Sequence, residues 1–253
     1  MKKDVAKSIR ASLTARRALA YTVLLALSFL CLFFFYVLFT NSTRTHFEIQ
    51  RGFSLIPGKS LLTNWKNVMA NANIPVLSGI YNSLIVSGLT ALLSVYFSAL
   101  TAFGIHAYDF RFKKAAFTFI LLIMMMPTQV SALGFVRLIT KMGMADSLVP
   151  LFLPSIAAPV VFYFMIQYME SNLPMEIIEA ARIDGAHEFR IFNTIVLPIM
   201  KPALAVQAIF AFVSSWNNYF MPALILSSNE KKTLPILIAQ LRSADFLKFD
   251  IGQ

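Results

Sequence analysis

Five mostly apolar runs, at about 18–40, 79–105, 115–136, 149–169 and 203–226, constrain this chain more than any other feature. A helix rises about 1.5 Å per residue, so about 20 apolar residues cross a hydrocarbon core of about 30 Å. In lipid each backbone polar group needs a partner inside the protein, and a helix supplies one within its own segment. The runs therefore predict an all-α polytopic membrane protein with five transmembrane helices. Composition agrees: 58% of residues are hydrophobic and 13% are charged, against roughly 25% charged in a soluble domain.

The charges then orient the spans. Net charge is +10, but Lys2, Lys3, Lys7, Arg10, Arg16 and Arg17 all precede the first span, where the positive-inside rule puts them in the cytoplasm. The remaining basic residues are spread through the loops without a basic, aromatic-interleaved stripe, which argues against nucleic acid as a partner. The expected order is a cytoplasmic basic tail (1–17), a first transmembrane helix (18–40), an external segment (41–78) and a membrane core (79–253). That core holds one long polar cytoplasmic loop at 170–198. The first apolar run is too long for a signal-peptide core and no small-residue cleavage site follows, so it is expected to stay as an anchor. Cys31 is the single cysteine; it can form no internal disulfide and reads as apolar filling.

Within the spans, Ser83, Ser87, Gly88, Ser94, Ser98 and Gly104 are small residues that let helices approach closely. Met126-Pro127 predicts a kink or break in the third span, and Pro150, Pro154 and Pro159 an irregular start to the fourth.

The polar loop has its own order. Pro174 suits a first helical turn, and Glu176 and Glu179 place negative charge at the positive end of the helix dipole. Ala180 and Ala181 favour helix and leave little bulk, and Gly185 is suited to end it in the left-handed region. A second amphipathic stretch, 186–196, is expected to run until Pro198 stops it. Helix, glycine turn, helix is the predicted shape. On pattern alone, a loop lying on anionic lipid remains an open alternative.

The spacing Glu179-Ala180-Ala181, three residues, Gly185, nine residues, Ile195-x-Leu197-Pro198 resembles the EAA loop of importer-type ABC permeases. More specifically, the chain resembles the carbohydrate-uptake, maltose-transporter type. Phe53-Ser54-Leu55-Ile56-Pro57, Asn64-Trp65, Asn82-Ser83, Met126-Pro127-Thr128-Gln129-Val130, Ser215-Trp216-Asn217-Asn218 and Thr233-Leu234-Pro235 fall in that family's order. The resemblance implies a six-helix type I permease in the bacterial plasma (inner) membrane. It also implies a second permease subunit, two ATPase subunits and an external sugar-binding protein. Glu179, Ala180, Ala181, Gly185, Ile195, Leu197 and Pro198 would then form the ATPase-coupling loop. ATP and Mg would be used by the partner ATPases, and this chain would bind no cofactor. It carries no glycine-rich phosphate loop ending in Lys-Ser/Thr, so it is expected to be no enzyme. The sequence stops before the family's last helix. Since Phe249-Asp250-Ile251-Gly252 reads as the approach to a span, truncation is the expectation.

Other residues point elsewhere only weakly. His46, His106 and His187 are too scattered for a metal site. Glu170, Glu176, Glu179, Asp184 and Glu188 cluster in a solvated loop where nothing separates their proton affinities for catalysis. Met124-Met125-Met126 points around a helix rather than at one ion. Asn82, Trp216, Asn217 and Asn218 are candidates for lining a translocation pathway, with interhelix hydrogen bonding as the plainer role. A self-contained secondary transporter is an alternative, though no repeat symmetry or intramembrane Asp, Lys or Arg supports it. An ABC permease for a non-sugar solute such as a polyamine or phosphate also stays open.

Overall fold

The computed structural model describes residues 2–71 and 74–243, and every regular element among them is helical. They fall into two compact units, divided after Asn71. In the first, α1 (Lys2–Ser42) contains an apolar stretch, Leu13–Ser42, long enough to cross a membrane. The segment 1–17, expected as a separate tail, is helical from Lys2 onward, because it holds no Gly or Pro and its Lys and Arg residues favour helix. Two short helices follow, α2 (His46–Gln50) and α3 (Leu61–Ala70). Thr45 and Glu48 cap α2 reciprocally. Arg44 is buried in the turn after α1, where it donates to the carbonyls of Gly52 and Glu48. The Asn64 amide of α3 donates to the carbonyls of Ser42 and Arg44, which ties α3 back to the end of α1.

The second unit is built around α4 (Val76–Ala107). Then come α5 (Lys113–Met124), α6 (Thr128–Lys141) and α7 (Val149–Phe152), the last prolonged by a 3-10 turn over Leu153–Ile156. The chain continues through α8 (Pro159–Asn172), α9 (Met175–Ile183), α10 (Glu188–Ile191) and α11 (Leu197–Trp216), and ends in α12 (Phe220–Ile225) and α13 (Leu234–Ser243). α4 packs chiefly on α11 and α8. Its buried stripe runs Ser83, Ser87, Ala91, Ser94, Ser98 and Ala102, spaced at three and four residues so that small side chains line one face. Gly88 is exposed and a side chain there would meet nothing, so the serines rather than that glycine make the close face.

Several boundaries differ from the expected spans. The third span breaks at Met125–Pro127, and α5 and α6 meet at 96°. Proline removes one helical hydrogen bond and its ring clashes with the preceding turn. The fifth span is displaced: helix is continuous over Glu188–Trp216 and stops ten residues before the expected end at 226. Pro198 does not stop it, because a π turn over Phe192–Val196 lies immediately upstream. There the Leu197 N–H reaches the Phe192 carbonyl, and the wider turn makes room for a ring that a tight α-turn would exclude. Residues 249–252, taken as the approach to a further span, lie outside the described residues.

The main apolar core sits where Val95, Ala99, Ala102 and Phe103 of α4 meet Phe162, Met165, Ile166 and Met169 of α8. Ile191, Phe192, Val196 and Met200 join it from α10 to α11. A smaller cluster, Ile139, Ile225, Leu226 and Ile236, holds α6 to the segment around α12 and α13.

Candidate functional site

The polar loop folds as a short helix fused to this core. Pro174 sits at the N-cap of α9 and Glu176 lies in its first turn. At the other end Gly185 N donates to the Arg182 carbonyl, and Ala186 N to the Ala181 carbonyl, both at 3.0 Å. That pair of bonds is a Schellman motif, and it needs the left-handed residue that Gly185 supplies with φ +78°. Helical spacing divides α9 into two faces. Ile178 and Ala181 point inward and belong to the main core. Glu176, Ile177, Glu179, Ala180 and Ile183 point outward, and Ile183 is 86% exposed. Beyond the turn Phe189 adds a second outward apolar side chain, 68% exposed. The alanine pair thus divides its work: Ala180 lies on the free face, whereas Ala181 packs inside. Ile195 and Leu197 are half-buried against the same core, and Pro198 is exposed.

An ion pair locks the turn. Arg182 donates from Nε to Glu188 at 2.7 Å and from Nη2 at 3.3 Å, and its guanidinium lies 5.1 Å from the centre of the Tyr108 ring. Its Nη2 also reaches the Ala107 carbonyl at 3.4 Å, at the end of α4. Hydrogen bonding to Glu188 raises the proton affinity of Arg182 further, so it stays charged at any physiological pH. The sequence reading missed both Arg182 and Phe189. The i, i+6 spacing of Arg182 and Glu188 spans a turn, so no helical periodicity reveals it.

A second feature is a cavity of about 490 Å³ inside the second unit. Ser83, Ser87, Met124, Met126, Ser131, Phe135, Ser215, Asn218 and Thr233 are among its lining, and among the described residues no Asp, Glu, Lys, Arg or His is. Ser87 is 1% exposed and Thr233 3%, yet the hydroxyl of neither has a hydrogen-bond partner. Buried hydroxyls left unpaired cost free energy, and both oxygens are sealed behind the cavity wall rather than presented to its interior. The pathway candidates are not brought together. Asn218 faces this cavity, while Trp216 and Asn217 line a separate hollow with Tyr219, Leu234 and Pro235. The Asn217 side chain donates to the Val213 carbonyl of its own helix, and Asn218 Oδ1 accepts from Met221 N, so neither side chain bonds across helices. Asn82 lines neither space; it donates to the carbonyls of Glu230 and Lys232 and ties α4 to the segment before α13.

Asp146, in the left-handed region at φ 55°, fastens the same segment from the other side. Its carboxylate accepts from Ser227 N, Ser228 N and Oγ, and Lys231 Nζ. These donors, Ser228 first, hold its proton affinity far below the ordinary carboxylate value.

Comparison with known proteins adds four findings. Residues 94–246 match the family described as the binding-protein-dependent transport system inner membrane component. The chain is 34% identical to the arabinooligosaccharide transport permease AraQ of Bacillus subtilis, over 86% of this chain and 78% of that one. It is 32% identical to the sn-glycerol-3-phosphate transport permease UgpE of Escherichia coli, over 82% and 75%. Among solved structures, a bacterial ABC transporter involved in importing the acidic polysaccharide alginate matches with a TM-score of 0.75. That match is 21% identical and covers 89% of this chain and 78% of that one.

Proposed function

The chain belongs to the family of binding-protein-dependent transport inner membrane components, and we propose that it carries a neutral carbohydrate through an ATP-driven importer. ATP hydrolysis would take place in two partner ATPases using Mg, with a second, different permease subunit beside this chain. A sugar-binding protein would deliver substrate on the face opposite the amino terminus, which we place in the cytoplasm.

One observation carries the coupling role: α9 is exposed along one face and fused to the core along the other. An ATPase groove closing on Ile183, Glu179, Ala180 and Phe189 would push a body whose inner residues, Ile178 and Ala181, touch the core shared by α4, α8 and α11. The Arg182–Glu188 pair keeps the turn from absorbing that motion. Displacement of α9 then becomes displacement of the spans that line the cavity, which is the two-state element that alternating access requires.

The cavity supports the neutral carbohydrate. Its hydroxyl and amide groups suit hydroxyls of a sugar, and Phe135 and the methionines suit its apolar faces. A phosphate or polyamine entering an uncharged site would lose hydration without a counter-charge. Among the described residues the lining also has no ionisable group for proton or sodium coupling, which weighs against a self-contained secondary transporter.

The test is co-purification from native membrane with Ile183→Asp and Phe189→Asp introduced together. Loss of the ATPase with retention of the second permease is expected. A fully retained ATPase would overturn the docking face.

A further inference from the structure

We propose that residues 53–56, just beyond the first span, form a hook that re-enters the leaflet at the carboxyl end of α1 and places Phe53 and Ile56 among acyl chains. The proposal rests only on α1 being a span. The chain does not leave the end of α1 for water: it doubles back along the helix. The Phe53 ring lies 6.1 Å from that of Phe33, and the Tyr36 hydroxyl donates to the Leu55 carbonyl at 2.6 Å. Phe33 is nine residues before Ser42 and six before Phe39, where the apolar run ends. At the helical rise, the Phe53 ring therefore reaches about 9 Å below the edge of the apolar run. Along α1, Phe33 and Val37 are half-buried and Thr40 is buried, all on one stripe, while residues 13–32 are exposed throughout.

The backbone of the hook is tied down at three points. Unpaired polar groups are costly in hydrocarbon, so the backbone lies at the headgroup edge while its side chains reach inward. Here the Leu55 carbonyl accepts from Tyr36, Ile56 N donates to Ser54 Oγ, and Gly58 N donates to Thr43 Oγ1. The side chains around those atoms are apolar and outward: Ile56 is 77% exposed and Phe53 is also exposed. Exposed Arg51 and Lys59 bracket the hook, where their stems can run beside lipid and their charges reach phosphate headgroups. Apolar tip, basic collar and continuity with a spanning helix select a bilayer over a protein partner. The hook would then fix how deeply α1 sits.

The single cysteine makes the test clean. In a Cys31→Ala chain, purified with the subunits that accompany it into phosphatidylethanolamine–phosphatidylglycerol nanodiscs, a nitroxide is placed in turn at 35, 56 and 59. Collision with oxygen and with a water-soluble nickel chelate is then measured. The label at 56 should match the one at 35, favouring oxygen, and the order should reverse at 59. A label at 56 as open to nickel as that at 59 would overturn the hook. So would a label at 56 immobilised and closed to both reagents, which would mean that protein covers it. Tyr36→Phe removes the donor to Leu55, and the label at 56 should gain mobility and nickel access. Unchanged spectra would eliminate that clasp.

Discussion

Gly185 is the residue at which turn geometry can be separated from everything else. A Cβ placed there meets nothing within 4 Å, so a larger residue offends only the backbone at φ +78°. Holding an L-residue in the left-handed region costs about 1–2 kcal/mol, more for a β-branched side chain. The ratio of docked to undocked turn should fall by a factor of about 5–30 for that penalty. Asn tolerates the region, so the expected order of coupling is Gly185, Gly185→Asn, Gly185→Ala, Gly185→Val. The assay is substrate uptake per ATP hydrolysed in proteoliposomes, with the melting temperature recorded alongside. Melting should change little, because Ile178 and Ala181 keep α9 anchored on its inner face. If Gly185→Asn fails as badly as Gly185→Val, bulk against the partner decides and the backbone argument is wrong. Full coupling in Gly185→Val would refute the turn's role altogether.

The two faces of α9 should respond oppositely. Ile178→Ala opens a cavity in the core and should cost about 2–5 kcal/mol in unfolding experiments, whereas Ile183→Ala should stay within about 0.5 kcal/mol and weaken ATPase retention. Arg182→Gln breaks a partly exposed pair worth about 0.2–1 kcal/mol; ATP turnover should continue while uptake per ATP falls, an effect that salt reproduces in the unmodified chain. Ser87→Ala and Thr233→Val remove buried hydroxyls with no partner to lose, so the melting temperature should hold or rise; a clear drop in either variant would refute their unpaired state. Asp146 has a folded-state proton affinity below its ordinary value of 3.8. Its contribution to stability is therefore complete above that pH and is lost as pH falls below it. Asp146→Asn should lower the melting temperature at neutral pH and flatten the acid limb of the profile; an unchanged acid limb would show that the clasp contributes nothing.

What the sequence determined by itself was whatever depends on local periodicity and solvent. Long apolar runs leave the helix as the structure that pairs its own backbone, so the spans were legible from residues alone. The break at Met126-Pro127 and the turn at Gly185 were legible because proline lacks a donor and glycine lacks a Cβ. Tertiary structure decided the rest. Ala180 and Ala181 are the same residue type in neighbouring positions; only the seating of α9 on the main core sends one outward and the other inward. Pro198 reads locally as a stop, yet the π turn that admits it belongs to a helix held along the bundle. Arg182 finds Glu188 across a turn. Ser87, Thr233 and Asn218 come from distant parts of the chain, and only the bundle puts them around one cavity. Each of these outcomes depends on which surfaces meet, and contacts between remote segments leave no period in the sequence.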